Sequence, residues 1–454
     1  MGVLLDVAYL IAGVVLSPWL IYRSARGSDR RDLAMRFFGS SLGPPLARSI
    51  WLHGSSAGEV SLLKPLVAML EREQPATPLV ISAVTTTGLA AARKLYPRHR
   101  VVPLPFDLSF VARRCLERFD PRLVVIVESE FWPNFISLAH RRGTPVVLVN
   151  GKMSAKSHRL HARTRLIPRV LRDLDLVAVQ TAEHAGRFSS LGVLPERMFV
   201  TGNMKYDLAH ATADRSAGRA LRAALRYSDA DVVVIGGSLH EQEDEALLDA
   251  FAEARSAAGS AALIIVPRYP ADAALVEQHA RARGHVVVRK SAIDRGAAAP
   301  PGARGVLIVD TVGELGKLYG VADVAFVGGS LFYRGSNKGG HNLMEPAIVG
   351  VPVLFGPYNF SFKETVEDLL AADAGWCVRD SAELRTALAT LVREPDRRRA
   401  LGTRAERVVR DGQGAAARNY KLIAALLSAQ DLRLQAVGFD RKMPRAANDT
   451  ESPS

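Results

Sequence analysis

Short apolar runs set the first pattern along this chain. Past residue 45, four to seven mostly aliphatic positions in a row alternate with stretches whose apolar residues recur every three or four. Runs of the first kind, bounded by Gly, Pro or Asp, predict buried strands; the second kind predicts amphipathic helices. In the first half the predicted strands are RSIWLHG, PLVISAV, RLVVIVES, TPVVLVN and DLVAVQT. In the second half they are DVVVIGG, AALIIVP, HVVVRK, GVLIVD, VADVAFVGG and VPVLFG. Helical spacing falls between them, for example at residues 61–73 and 243–255. Strand–helix alternation predicts an α/β fold with parallel sheets covered on both faces.

The pattern runs twice, which predicts two doubly wound, Rossmann-like domains at 35–206 and 230–431, the second including the C-terminal helices. A polar, Ala/Arg-rich segment at 207–229 joins them, residues 292–304 form a surface loop, and the polar end from 432 is expected to be disordered. In such sheets ligands sit beyond the carboxyl ends of the strands, so two facing domains are expected to frame a cleft.

Residues 1–34 break the pattern. The stretch 3–22, VLLDVAYLIAGVVLSPWLIY, is almost wholly apolar, with Asp6 near one end and Pro18 near the other as the strong objections to a span. About 20 such residues can span a bilayer, and Trp19 and Tyr22 stand where an interfacial aromatic belt would be. Arg23, Arg26, Arg30, Arg31 and Arg36 follow, which favours a cytoplasmic location for what comes next. No cation precedes the run and no A-x-A site follows it, unlike a cleaved signal peptide. A membrane anchor is expected; a span and an interfacial helix both stay open.

Composition narrows the function classes. Of 454 residues 48% are hydrophobic and 23% charged, which fits sizeable cores rather than global disorder. The two cysteines, Cys115 and Cys377, have no metal-ligand spacing, which argues against a disulfide framework and a zinc site. A net charge of +13 favours anionic partners. The basic residues are dispersed rather than interleaved with aromatics, so nucleic acid is not the expected partner.

Candidate chemistry clusters just after predicted strands. In HGSSAGEV a turn of small residues ends at Glu59, which opens a helix. Small residues let a ligand approach the backbone, yet a first-turn carboxylate also suits the helix dipole; the pattern alone leaves both readings open. In VVIVESEFWPN, Glu128 and Glu130 follow a buried strand and would face the same side of an extended chain; helix capping is the structural alternative. In FVTGNMKYD, Lys205 follows a strand and a glycine, where a compact cation can meet a phosphate or carboxylate. The second half offers GGSLHEQEDE, VPRYP with Arg268 at a strand end, DTVGEL, and the Gly-rich GGSLFYRGSNKGGHNLMEP. There Asn342 and Glu345 are expected to close a capping box, or the helix start to cradle phosphate with Glu345 on a ribose. No G-x-x-x-x-G-K-[ST] and no G-x-S-x-G occurs.

Taken in order, HGSSAGEV, ESEFWPN, GNMKYD, SLHEQEDE, VPRYP, DTVGELGKLYGVADVAFVGGS, GGHNLMEP and GVPVLFGPYNFSF resemble the Kdo (3-deoxy-D-manno-octulosonic acid) transferase family over roughly residues 35–425. The resemblance implies a GT-B fold, CMP-Kdo as donor, a lipid A precursor such as lipid IVA as acceptor, and anchorage at the cytoplasmic face of a bacterial inner membrane. By motif, Glu59 matches the family's general base, and Glu130 and Lys205 its transition-state stabilisers. Pro267 and Arg268, then Val312, Gly313 and Glu314, then Asn342, Leu343, Met344 and Glu345 match its CMP-contacting segments. The chain departs from the family at Phe131 (usually Leu), Leu239 (Thr), Tyr269 (His) and Leu343-Met344 (Pro-Leu), and in about four extra residues around GSNK. An inverting transfer without metal or other cofactor is expected, with Lys205 and helix N-termini holding the charge of the leaving CMP. Another GT-B transferase, using a different nucleotide sugar on a membrane lipid, is the open alternative.

Overall fold

The structure, a computed structural model, describes residues 5–7, 9, 35–37, 43–164, 166–209, 215–258, 260–297, 305–335 and 339–428. The chain divides into two compact units. One holds the residues up to Leu208 together with those from Gln413, and the other is Ala209–Gly412.

The first unit contains strands β1 (Ser49–His53), β2 (Leu79–Ala83), β3 (Arg100–Pro103), β4 (Pro121–Val127), β5 (Val146–Gly151), β6 (Leu176–Val179) and β7 (Met198–Val200). They form one sheet in the order β3-β2-β1-β4-β5-β6-β7, with every neighbouring pair parallel. Alternate side chains feed two cores: Trp51, Val124 and Ile126 lie on one face, and Ile50, Leu52, Leu123 and Val125 on the other. That double burial is why the strands are apolar throughout. The chain winds one way from β1 to β3 and the other way from β4 onward. This puts a topological switch point between β1 and β4, and it is outside the carboxyl ends of the strands at such a point that open α/β sheets bind ligands.

The second unit contains β8 (Val232–Leu239), β9 (Ala261–Pro267), β10 (Val286–Arg289), β11 (Gly305–Ile308), β12 (Val324–Val327), β13 (Val353–Phe355) and β14 (Trp376–Cys377). Its order is β10-β11-β9-β8-β12-β13-β14, again parallel throughout, with the switch point between β8 and β12. The expected α/β class of two doubly wound sheets is therefore observed. Strands β3, of four residues, and β14, of two, are absent from the predicted runs, and β7, of three, enters only as the strand before Lys205.

The last helix, Ala415–Leu427, differs from the sequence reading, which assigns it to the second domain. Its Ala415, Ala416, Leu422 and Ile423 join the core of the first unit. The Asp207 carboxylate accepts the N–H groups of Gly414 and Ala416 at 2.6 and 2.7 Å and so caps the start of this helix.

Most of the apolar stretch 3–22, the arginines at 23, 26, 30 and 31 that follow it, and the tail from 429 lie outside the described residues. Asp6 is described. Its carboxylate accepts the Ser109 N–H at 2.8 Å and the Asn134 amide at 3.0 Å, so the acid in this apolar stretch is satisfied by the first unit. Among the described residues no helix is long and apolar enough to cross a membrane.

Candidate functional site

The first cluster lies at the carboxyl ends of β1, β4 and β5. After His53 the chain turns through Gly54–Ser56 into the helix Ala57–Leu62. Ser56 takes the extended cap conformation and accepts the Glu59 N–H at 3.4 Å. Glu59 turns back, accepting the Ser55 N–H at 2.6 Å and the Ser56 hydroxyl at 3.1 Å. The first-turn charge thus does cap its helix, and the cap fixes the carboxylate over the turn at the switch point. Burial raises the Glu59 carboxyl above its ordinary range, and the Glu128 charge adds to this. The Ser55 N–H, the Ser56 hydroxyl and the Lys152 ammonium oppose it.

Beyond β4 the chain does not stay extended. Glu128 has φ +66°, the left-handed region that non-glycine residues rarely occupy. The expected common face of Glu128 and Glu130 is therefore lost, and the two carboxylates meet different partners. Buried Glu128 pairs with the Lys152 ammonium, just past β5, at 2.9 Å. Glu130 is raised by burial and by the Glu59 charge, against the Ser55 hydroxyl and the Trp132 indole N–H. That N–H is buried without a partner at hydrogen-bonding geometry. Neither glutamate caps the helix Pro133–Arg141. Asp107 does, accepting the N–H groups of Asn134 and Phe135 at 2.9 and 2.8 Å. The capping alternative for the pair is thereby removed.

Lys205 opens the four-residue helix Lys205–Leu208 after β7. At about 4.8 Å per strand, β7 lies roughly 14 Å along the sheet from β4. The intervening loop is tied back toward β5, where buried Asn150 accepts the Met204 N–H at 2.8 Å. Lys205 thus shares the carboxyl edge with Glu59 and Glu130.

In the second unit a cavity of about 400 Å³ opens at the carboxyl ends of β8 and β9. Arg268, Gly313, Tyr319, His341, Asn342 and Glu345 are among its lining residues. Of the expected donor-binding residues it brings together Arg268, Gly313, Asn342 and Glu345. The others stand elsewhere. Pro267 ends β9 and lines a neighbouring cavity of about 340 Å³. Val312 is 84% exposed. Glu314 pairs with Lys290 at 3.2 Å. Leu343 and Met344 are buried in the core. The expected capping box is displaced by one residue: Leu343 is the N-cap, Asn342 accepts the Met344 N–H at 3.1 Å, and its amide donates to Glu345 at 3.1 Å. Burial raises the Glu345 carboxyl, and the Asn342 amide opposes that.

Sequence reasoning passed over four residues here. Lys152 follows the strand TPVVLVNG and neutralises Glu128; a cation straight after an apolar run was the available signal. Glu243 is 1% exposed and accepts four backbone N–H groups, from His240 at 3.0 Å, Gly329 at 2.6 Å, Ser330 at 2.9 Å and Leu331 at 3.0 Å. It bolts the loop after β12 to the end of β8. His240 and His341 stand ring to ring beside the cavity. Chemically, the first cluster can take a proton from a hydroxyl, and the second can hold an anion on Arg268 and hydroxyls on Asn342 and Glu345.

The model of the family described as 3-deoxy-D-manno-octulosonic-acid transferase (kdotransferase) matches residues 30–208. A 3-deoxy-D-manno-octulosonic acid transferase of Bordetella pertussis is 33% identical over 401 residues, covering 84% of this chain and 89% of that protein. One of Haemophilus influenzae is 30% identical over 405 residues, covering 88% and 92%. Among solved structures, a putative UDP-N-acetylglucosamine 2-epimerase of Listeria monocytogenes matches with TM-score 0.55 at 14% identity, covering 85% of this chain and 98% of that one. That likeness concerns the fold alone. Identity at this level, over more than four fifths of the chain, decides the family: the chain belongs to the 3-deoxy-D-manno-octulosonic acid transferases, and it is a glycosyltransferase.

Proposed function

We propose that this Kdo transferase takes its sugar from CMP-Kdo and passes it, with inversion, to a hydroxyl of a lipid A precursor. The observation that carries the reading is the Glu59 carboxylate, fixed by its own cap at a switch point and raised by burial. An acceptor hydroxyl titrates far above neutral pH, so a positioned base must take its proton as the new bond forms. Such help is worth about 10²–10⁴-fold in rate. A carboxylate held above its ordinary range is a stronger base than a free one.

Glu130 and Lys205 act with it, Glu130 by shaping the field at Glu59 and Lys205 by offsetting charge that develops on the departing phosphate. Arg268 meets the nucleotide phosphate, and Asn342 and Glu345 its ribose. The first unit is the acceptor side and the second the donor side. No metal enters this reading, because side chains and helix starts supply the neutralising charge. The N-terminal apolar stretch and its arginines hold the enzyme at the cytoplasmic face of the inner membrane, where a phosphorylated glycolipid acceptor resides.

Mass analysis of glycolipid after incubation with CMP-Kdo and a lipid A precursor tests this. Glu59→Gln is expected to lower the transfer rate by about 10²–10⁴-fold while CMP still binds. Transfer at the wild-type rate by that variant would remove Glu59 from the role of base.

A further inference from the structure

We propose that His240 and His341 act as a single-proton anion reader on the wall of the donor cavity: a bound phosphate draws one extra proton onto the pair, which then presents a cationic N–H to it. This rests on the donor reading above and names how the site tells a nucleotide from a nucleoside.

The rings are built to face each other. They lie nearly parallel, 8° apart with centroids at 5.2 Å, and their Nε2 atoms are 2.9 Å from one another. One carboxylate positions both, since Glu243 accepts the N–H of His240 and that of Gly329. Gly329 has φ +72°, and a Cβ there would come within 2.9 Å of the His341 ring, so the left-handed glycine makes room for it. His341 lines the cavity of about 400 Å³ and His240 the neighbouring one of about 340 Å³.

Two imidazoles joined through the same nitrogen have few options. One Nε2 must carry the hydrogen and the other must accept it. Protonating both Nε2 atoms would set two N–H groups head to head and break the bond. A single extra proton has one place that keeps it: Nδ1 of the donating ring. That ring becomes cationic, and its Nε2–H···Nε2 bond becomes charge-assisted and stronger. The pair therefore accepts one positive charge and resists a second.

The surroundings hold the unloaded pair neutral. Burial, His240, Arg268 and Arg334 push His341 down to about 4, and burial, Arg334 and Arg268 lower His240 against Glu243 and Asp272. Glu345 faces the larger cavity, and Glu241 and Asp244 line the smaller one. An anion placed against Arg268 offsets the two arginines, which removes their share of the penalty for charging the pair, and its own negative charge favours the cationic ring against burial. Proton uptake on binding means that this part of the affinity weakens as pH rises.

The test is ¹⁵N-imidazole NMR on the full chain near neutral pH, with CMP, cytidine and inorganic phosphate as probes. The unloaded protein is expected to show one neutral Nε2–H ring and one neutral Nδ1–H ring. Saturating CMP should turn one ring cationic, and cytidine should not. In His240→Gln, CMP should leave His341 neutral and bind about three- to tenfold more weakly, with a flatter dependence on pH. Two neutral rings with CMP bound would overturn the proposal. Failure of CMP to bind while inorganic phosphate still charges the pair would count against the CMP reading alone and support the pair. A lack of response to both anions would overturn the pair as well.

Discussion

The Glu59 carboxylate accepts hydrogen bonds from Ser55 and Ser56, interactions that favour its ionised form, yet its carboxyl is raised. Burial and the Glu128 charge outweigh those bonds. The consequence for pH has a definite sign. Ionised Glu59 is the active form, so transfer is expected to rise with pH along an acidic limb that lies above the ordinary carboxylate range, read as kcat/KM against pH. Because its folded-state value is raised, the group's contribution to stability is present at low pH and lost as pH rises through that value. Thermal melts should show this as a weak loss of stability over the same window, absent in Glu59→Gln. Lys152 matters at the same scale. Lys152→Met leaves the buried Glu128 charge without its partner and is expected to cost about 1–3 kcal/mol in denaturant unfolding. It should also move the acidic limb to higher pH, since Lys152 opposes the raised value of Glu59. An unmoved limb would separate Lys152 from the base. Glu59 was legible because its turn, helix and carboxylate are consecutive in the chain. Lys152 was not, because its partner is 24 residues away and only the parallel pairing of β4 with β5 brings them together.

The turn between β1 and its helix shows how a short element divides labour between glycines. A Cβ on Gly54 would lie 2.9 Å from the Glu59 carbonyl carbon, so the fold needs glycine there. A Cβ on Gly58 would meet only the Ser56 hydroxyl at 3.8 Å. Gly58→Ala is therefore expected to fold with an unchanged or higher melting temperature, by up to about 1 kcal/mol of helix propensity. If transfer falls in that variant while the melt does not, the space above Gly58 belongs to the acceptor. A lower melting temperature would refute the steric reading. Elements were legible where four or more apolar residues ran together. The cap of the helix Pro133–Arg141 was not, since Asp107 reaches it from the loop after β3.

At the level of the molecule, the last helix completes the core of the first unit. Removing residues 413–454 takes away Leu422 and Ile423, both fully buried, and leaves Asp207 without the N–H groups it caps. The loss is expected to be about 3–6 kcal/mol, enough to leave the first unit marginally stable in urea or to drive it into aggregates. A truncated chain that unfolds at the wild-type urea midpoint would contradict this assignment. The helix pattern itself was plain in residues 415–427; which sheet it covers was not, because an amphipathic stripe states that an apolar partner is needed without naming one. The amino-acid order alone was enough for the α/β class, the two repeats of winding, and the position of Glu59 and Arg268 after apolar strands, since all of these are local periodicities and neighbours in the chain. Tertiary structure alone brought Lys152 to Glu128, bent Glu128 away from Glu130, set His240 against His341 and returned the last helix to the first sheet. The contacts among these join residues 24 to more than 200 positions apart, and their energies depend on burial and distance, which no run of residues encodes by itself.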